Sequence, residues 1–374
     1  MSKTPISADS HITEPPNCYI DYIESKYRDV APHIVDDPKK GEIYVIDGMR
    51  DTIPLSLVAA AGKDPSELST RGARFNDLHR GGWDPAARAA DQDRDGVGAE
   101  IIYPSVGMVL CNHPDPVYKR ACFDAYNRWL QEFCGGLPGR LYGMAQVAMT
   151  TPDEAIEDAR RAKDMGFKGL MLAGEPHHED YDHPDYDRFY EAVVEMDMPI
   201  SFHILTSKRD MIRDYRGPRI NAFQTIIRGN QDIIGMFIYS GIFERHPNLK
   251  LVCVEADAGW APHFMYRMDH AYKRHRNWLA PGTTLSKLPS EYFAENIYST
   301  FQDDWVAFRM ANDMNWRRLM WANDFPHSDS TWPWSQEMLA EHTQQLTAEQ
   351  RLAILCGNVA DLYHIDLSAL EVAA

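Results

Sequence analysis

The chain has 374 residues, 44% of them hydrophobic, which is enough apolar material for one large core or two ordinary ones. Its 55 acidic residues outnumber 38 Lys and Arg, for a formal net charge of −17; nucleic-acid and anionic-membrane binding, which need clustered positive charge, are disfavoured. No apolar run is long enough to span a bilayer, MSKTPISADS lacks the apolar core of a secretory leader, and the six Cys form no C-x-x-C pair, so a reduced cytoplasmic chain is expected.

Residues 5–11 (PISADSH) read as a first strand. Residues 15 to about 90 carry Pro pairs, an Ile46-Asp47-Gly48 turn and Gly81-Gly82-Trp83, and fit no regular alternation; they read as an insertion covering one end of the fold. From residue 98, strands and helices alternate. AEIIYPS (99–105) is strand-like and precedes an amphipathic helix near Ala121–Phe133; RLYGMAQVAM (140–149) is the next strand. Thr151-Pro152-Asp153-Glu154 has the capping-box pattern, predicting a helix over Glu154–Met165 that stops at Gly166. Then come the strand 169–174, a helix over Tyr186–Met196, the strand 199–205 and a long helix over Ala222–Phe243 broken by His246-Pro247-Asn248. Strands at 249–256, 296–301 and 318–324 complete the set. Near-continuously apolar strands separated by helices mark a parallel sheet buried on both faces. About eight such units predict an α/β, TIM-type (β/α)8 barrel with a long insertion after the first strand, over residues 1–374 as a single domain; an open doubly wound sheet is the alternative.

In such a barrel, functional side chains project from the C-terminal strand ends. Asp9 and His11, two apart, face the same side of the first strand and together make a start for a divalent-cation site. His203 stands near the end of PISFHIL, and Asp324 ends RLMWAND, followed by His327. Each has an ordinary structural reading too: a turn, a core imidazole, a helix N-cap. Their joint occurrence at the ends of the first, fifth and last strands is what points to chemistry. No G-x-G-x-x-G, Walker loop or G-x-S-x-G elbow is present, so no nucleotide cofactor or serine nucleophile is implied.

On these residues the chain resembles the amidohydrolase-2 family, whose members include metal-dependent decarboxylases of aromatic and muconate-type acids. ISADSHITEP resembles the family's opening motif, SFHI its fifth-strand ligand and WANDFPH its last-strand segment; SGIFERHPNLKLVCVEADAGW and CGNVADLY resemble its helix–turn–strand pattern and closing helix. The resemblance runs from residue 6 to about 363 outside the insertion. It implies Asp9, His11, His203 and Asp324 as ligands of one divalent metal, Zn first with Mn, Fe or Co as alternatives, and a homo-oligomer, a dimer by analogy. One departure stands out. The family's decarboxylases end the sixth strand in a His followed by glycines, and that His is their general acid or base; here the position is Glu255, with Asp257 behind it.

The expectation is therefore a metal-dependent hydrolase acting on a small organic substrate: an amide, an ester, a lactone or an activated C–C bond beside a carbonyl. Asp324 would accept a proton from a metal-bound water and Glu255 would carry it to the leaving group, with His327 and Glu14 beside the ligands. Binding the metal itself is the alternative role for Glu255, and a salt bridge to Arg267 or another Arg is its structural reading. The rival activities are non-oxidative decarboxylation and, from another class, an inactive barrel used for binding. His177, His178 and His183 read as a solvated loop; Tyr103, Asn112 and His113 as possible substrate contacts; Trp260, Trp332 and Trp334 as a possible aromatic wall.

Overall fold

The computed structural model describes residues 4–69, 71–207 and 215–370, so the first three residues of the segment read for a leader lie outside the described residues. Twelve strands are present among them. In chain order they are β1 (Ile6–His11), β2 (His33–Asp37), β3 (Gly41–Val45), β4 (Ile53–Pro54), β5 (Ala99–Tyr103), β6 (Leu141–Gly143), β7 (Ala145–Val147), β8 (Leu170–Leu172), β9 (Ile200–His203), β10 (Leu251–Val254), β11 (Ile297–Phe301) and β12 (Leu319–Trp321).

Nine of these form eight staves of a barrel. Parallel pairing runs β1-β5-β6 and, separately, β7-β8-β9-β10-β11-β12. Residues 141–147 join the two runs, because Met144 N donates to Ile102 O while Ala145 N donates to Gly169 O. Closure comes at β12 and β1, where His11 N donates to Phe325 O (2.7 Å) and Asp324 N to Asp9 O (3.1 Å). Every residue of β1, β5, β9, β10 and β11 is buried, as a parallel sheet lined inside by side chains and covered outside by helices requires. The fold is the expected (β/α)8 barrel. No helix among the described residues is long and apolar enough to cross a membrane.

Local signals set the connections. Thr151 caps the helix Pro152–Asp164, its Oγ1 accepting from Glu154 N, and Gly166 follows with a φ of 89°. Two expectations differ. The stretch 222–243 is divided: a 3-10 turn at Arg219–Gln224, a helix at Arg228–Tyr239, then Gly241 at φ 75° before a short helix at Ile242–Arg245. The region from 15 to 90 also contains the start of a barrel helix, Pro85–Asp95. Asp84 caps it through Ala86 N and Ala87 N, and Gly96 ends it in the left-handed conformation, a start and stop readable from Asp-Pro and Gly. The rest of that region holds the antiparallel sheet β2-β3-β4. The segments that follow this sheet pack on loops at the C-terminal ends of the barrel strands: Ala61 N donates to Pro326 O, Ser328 N to Leu57 O and Thr13 N to Gly82 O.

Candidate functional site

At those strand ends, β1 carries a bulge. Ser7 pairs with Glu100 and Ser10 with Ile102, so three residues of β1 span two of β5. The bulge is held by Ser10 Oγ, whose single proton lies between Ser7 Oγ (2.9 Å) and Asn323 Oδ1 (2.9 Å), and it brings Asp9 and His11 to the barrel interior. His203 is the last residue of β9, Glu255 follows β10 directly, and Asp324 lies three residues beyond β12 rather than on it. Glu255 (φ 55°) and Asp324 (φ 54°) both adopt the left-handed conformation, as do Met149 and Leu205 after β7 and β9. Non-glycine residues there cost about 1–3 kcal/mol each and cluster where a strand must turn abruptly at a functional end.

The five side chains converge. His11 Nε2 lies 3.4 Å from Asp9 Oδ1, 3.3 Å from Glu255 Oε2 and 3.2 Å from Asp324 Oδ1. His203 Nε2 lies 3.1 Å from Glu255 Oε2, 3.6 Å from Asp9 Oδ1 and 3.3 Å from His11 Nε2. The side chains of Asp9, His11, His203 and Asp324 are 0% exposed, whereas Glu255 is 12% exposed. The outer ring nitrogens settle the imidazole tautomers. His11 Nδ1 faces Pro104 O (2.9 Å) and His203 Nδ1 faces Ile204 O (3.1 Å); a carbonyl only accepts, so each Nδ1 carries a proton. In their neutral form the rings aim their Nε2 lone pairs at each other and at the carboxylates. Both oxygens of Asp9, both of Asp324 and Oε2 of Glu255 are buried without a hydrogen-bond partner. Buried acceptors facing acceptors are costly, and a divalent cation at their centre satisfies all of them. The donor set fits such an ion.

Without one, protons take its part. Burial pushes the imidazoles toward neutrality, but the carboxylates outweigh it: Glu255 and Asp9 lift His203 to about 9, and Asp324, Asp9 and Glu255 hold His11 well above its ordinary value. Burial likewise opposes ionisation of Asp9 and Glu255, yet the two imidazoliums hold both carboxyls below the usual carboxylate range.

Asp9, His11, His203 and Glu255 offer ligand atoms within 4.8 Å of one another, and an overlapping set joins His11, Glu255, Asp324 and His327. Glu255, open from the sequence as a proton carrier or a ligand, lies inside this cluster. Its side chain faces the imidazoles of His11 and His203, and Thr300 Oγ1 accepts from its backbone N; Arg267 is exposed on the helix Ala261–His275. His327 stacks on His11 with ring centroids 3.8 Å apart, its Nδ1 3.1 Å from Asp324 Oδ1 and its Nε2 2.8 Å from Ser105 Oγ. Glu14 is set one layer back, its Oε1 accepting from Ser105 N, Val106 N and Gly107 N. Ser105 and Thr300 were missed at the sequence level, because a lone hydroxyl carries no spacing signal.

Asn112 Nδ2 donates to Leu205 O, His113 Nε2 to Asp47 O and Trp332 Nε1 to Asp91 O. Tyr103 lies beneath His203, ring centroids 5.4 Å apart. Trp334 is largely exposed, and Trp260 Nε1 is bonded to Ala256 O. His178, His183 and Asp185 form an exposed group away from the barrel interior, as a solvated loop should.

A family model described as amidohydrolase matches residues 116–365, which contain His203, Glu255, Asp324 and His327 but not β1. Gamma-resorcylate decarboxylase of Rhodococcus jostii is 26% identical over 218 residues, 54% of this chain; the match spans 64% of that relative's own length, under two thirds. Among solved structures, an amidohydrolase of Mycobacterium avium subsp. paratuberculosis superposes with a TM-score of 0.79 at 19% identity, covering 97% of this chain and all (100%) of its own. A 5-carboxyvanillate decarboxylase of Novosphingobium aromaticivorans, complexed with manganese and 4-hydroxy-3-methoxy-5-nitrobenzoic acid, superposes with a TM-score of 0.69 at 20% identity, covering 97% of this chain and 96% of its own.

Proposed function

Because the chain belongs to the amidohydrolase family, we propose that it is a metal-dependent enzyme that removes a carboxyl group, without oxidation, from a small aromatic or muconate-type acid. The observation that carries the reading is the convergence of three carboxylates and two imidazoles, with five orphaned oxygens, at the C-terminal mouth of the barrel. The named relatives, decarboxylases where their activity is stated, move decarboxylation ahead of the hydrolysis expected from sequence.

Asp9, His11, His203 and Asp324 are the ligands in this reading. When bound, a divalent cation supplies positive charge that draws substrate oxygens and offsets the negative charge gathering as carbon dioxide leaves. Carboxylate donors suit manganese and imidazole donors suit zinc, so the mixed set admits either, and manganese is the ion to test first given its presence in the similarly folded decarboxylase. The His327 ring stands between Asp324 and Ser105, its Nδ1 3.1 Å from Asp324 Oδ1 and its Nε2 2.8 Å from Ser105 Oγ. Glu255 alone of the five reaches solvent. Held ionised, its Oε2 takes the proton of a hydroxyl on the substrate and returns it to the carbon that loses the carboxyl group; the C–C electron pair stays on that carbon.

A second reading, hydrolysis, has one specific observation behind it. By the resemblance, Glu255 stands where the family's decarboxylases place a His, and a carboxylate that is 12% exposed is an apt base for water.

The test is metal analysis of the purified protein before and after chelation, with carbon dioxide release from gamma-resorcylate and other small aromatic acids, for wild type and Glu255→Gln. About one divalent ion per chain is expected, with carbon dioxide released by wild type and turnover at least ~100-fold lower in the metal-loaded variant. Loss of the metal in Glu255→Gln would make Glu255 a ligand. Metal-dependent cleavage of esters or lactones with no carbon dioxide would favour hydrolysis, and a wild type that retains no ion after reconstitution would sink both readings.

A further inference from the structure

Beneath the cluster lies a buried guanidinium that the chemistry above does not use. Arg88, on the helix Pro85–Asp95, has a side chain that is 0% exposed, and its counter-ion Glu100 on β5 is 1% exposed. Arg88 Nε donates to Glu100 Oε2 (2.6 Å), which also accepts from Gln92 Nε2 (2.6 Å). The fork end reaches the other way. Nη1 donates to His11 O (2.7 Å) and Gly81 O (3.2 Å), and Nη2 to Phe325 O (3.3 Å), while the guanidinium plane sits 4.6 Å from the Phe325 ring.

We propose that Arg88 is a positioning residue for the metal centre, a rigid clamp that fixes the two backbone segments bearing His11 and Asp324 at the separation the cation requires. The proposal rests on the metal reading above. His11 and Asp324 are 313 residues apart and meet where β12 closes on β1, a junction whose two sides both supply ligands in that reading. Phe325 O, beside Asp324, already accepts from His11 N (2.7 Å), and Arg88 spans that same junction. A guanidinium suits this because its planar donors reach separate carbonyls at fixed geometry; an ammonium keeps the charge without the fork. The clamp touches neither substrate nor ion, so it acts through ligand spacing. The helix carrying it enters from the first crossover, which ties the ligand geometry to the packing of a peripheral element.

Removing Arg88 alone would leave Glu100 buried without a counter-charge. The experiment therefore compares Arg88→Lys, which keeps the charge, with the charge-neutral pair Arg88→Met/Glu100→Gln. Each full-length variant is titrated with Mn²⁺ after chelation, and its Co²⁺-loaded form is read by visible absorption. Both are expected to keep the wild-type far-UV circular dichroism, bind Mn²⁺ about 10–100-fold more weakly, and show a changed Co²⁺ ligand-field spectrum. Saturating Mn²⁺ should restore most of kcat with little change in KM. Wild-type Mn²⁺ affinity and spectrum in either folded variant would overturn the clamp while leaving the metal reading intact. Failure of both variants to fold would also overturn it, by making the pair a folding element. A wild type that binds no Mn²⁺ or Co²⁺ would instead bring down the metal reading itself.

Discussion

Glu14 shows how much a single buried carboxyl can weigh. Its Oε1 accepts three backbone N–H groups, but Oε2 has no partner, and burial among apolar neighbours pushes the carboxyl up from 4.5 to about 7 against those hydrogen bonds. The unfolded chain ionises first, so the folded state carries no penalty below about 4.5 and the full penalty above about 7. A Gln amide can keep the Oε1 contacts without ever ionising. Relative to wild type, Glu14→Gln should therefore gain roughly 3 kcal/mol between pH 4 and pH 7.5. Urea unfolding of both proteins at the two pH values checks this, and a stability difference that does not move with pH would count against it. Ser105 links this residue to the site: its N–H is held by Glu14, and its Oγ donates to Ile12 O (2.7 Å) beside His327. No local pattern announces Ser105, which gains its place only when β5 lies beside β1.

At the scale of elements, strand ends and helix caps serve different purposes. The helix Pro152–Asp164 sits on the barrel exterior, and its start is secured by Thr151 Oγ1 to Glu154 N and by Arg120, which pairs with Glu154 (2.7 Å) and Asp158 (2.8 Å). Thr151→Ala should cost about 1 kcal/mol of unfolding free energy, as loss of an N-cap does, and leave metal content and turnover unchanged. Chemical denaturation beside metal analysis reads both; a loss of metal would mean that this crossover reaches the site. The cap was legible because it is written within four residues. The left-handed turns at Glu255 and Asp324 were not, because Glu and Asp carry no bias toward that conformation strong enough to mark it. Hence the last strand was expected to run to Asp324, whereas β12 ends at Trp321 and the carboxylate swings inward from a loop.

For the molecule as a whole, the cluster concentrates Asp9, Glu255 and Asp324 in one largely buried space. A cation bound there and absent from the unfolded chain stabilises the fold by mass action, about 2.7 kcal/mol at a free concentration of 100 times its dissociation constant. With an unfolding entropy of about 2.1 cal/mol/K per residue, that raises Tm by about 3–4 °C in a chain this long. Scanning calorimetry of chelated and Mn²⁺-loaded protein measures the shift directly, and identical melting curves would argue against a bound ion. The same barrel closure that gathers the carboxylates also buries Arg88 under them, so site and scaffold are not separable here.

By itself, the sequence determined the alternation of apolar strands and amphipathic helices, hence the barrel, and with it the polar residues found at strand ends: Asp9 and His11 by their spacing of two, His203 at the end of an apolar run, Asp324 before the closing loop. These signals are legible because pleat, helical period and capping act over a few residues. Only the tertiary structure decided that Glu255 joins the cluster, that Ser105 supports His327 and that Arg88 holds the strand ends, because each of those contacts is made by side chains far apart in the chain. Their geometry depends on bulge, twist and closure, which no local period encodes.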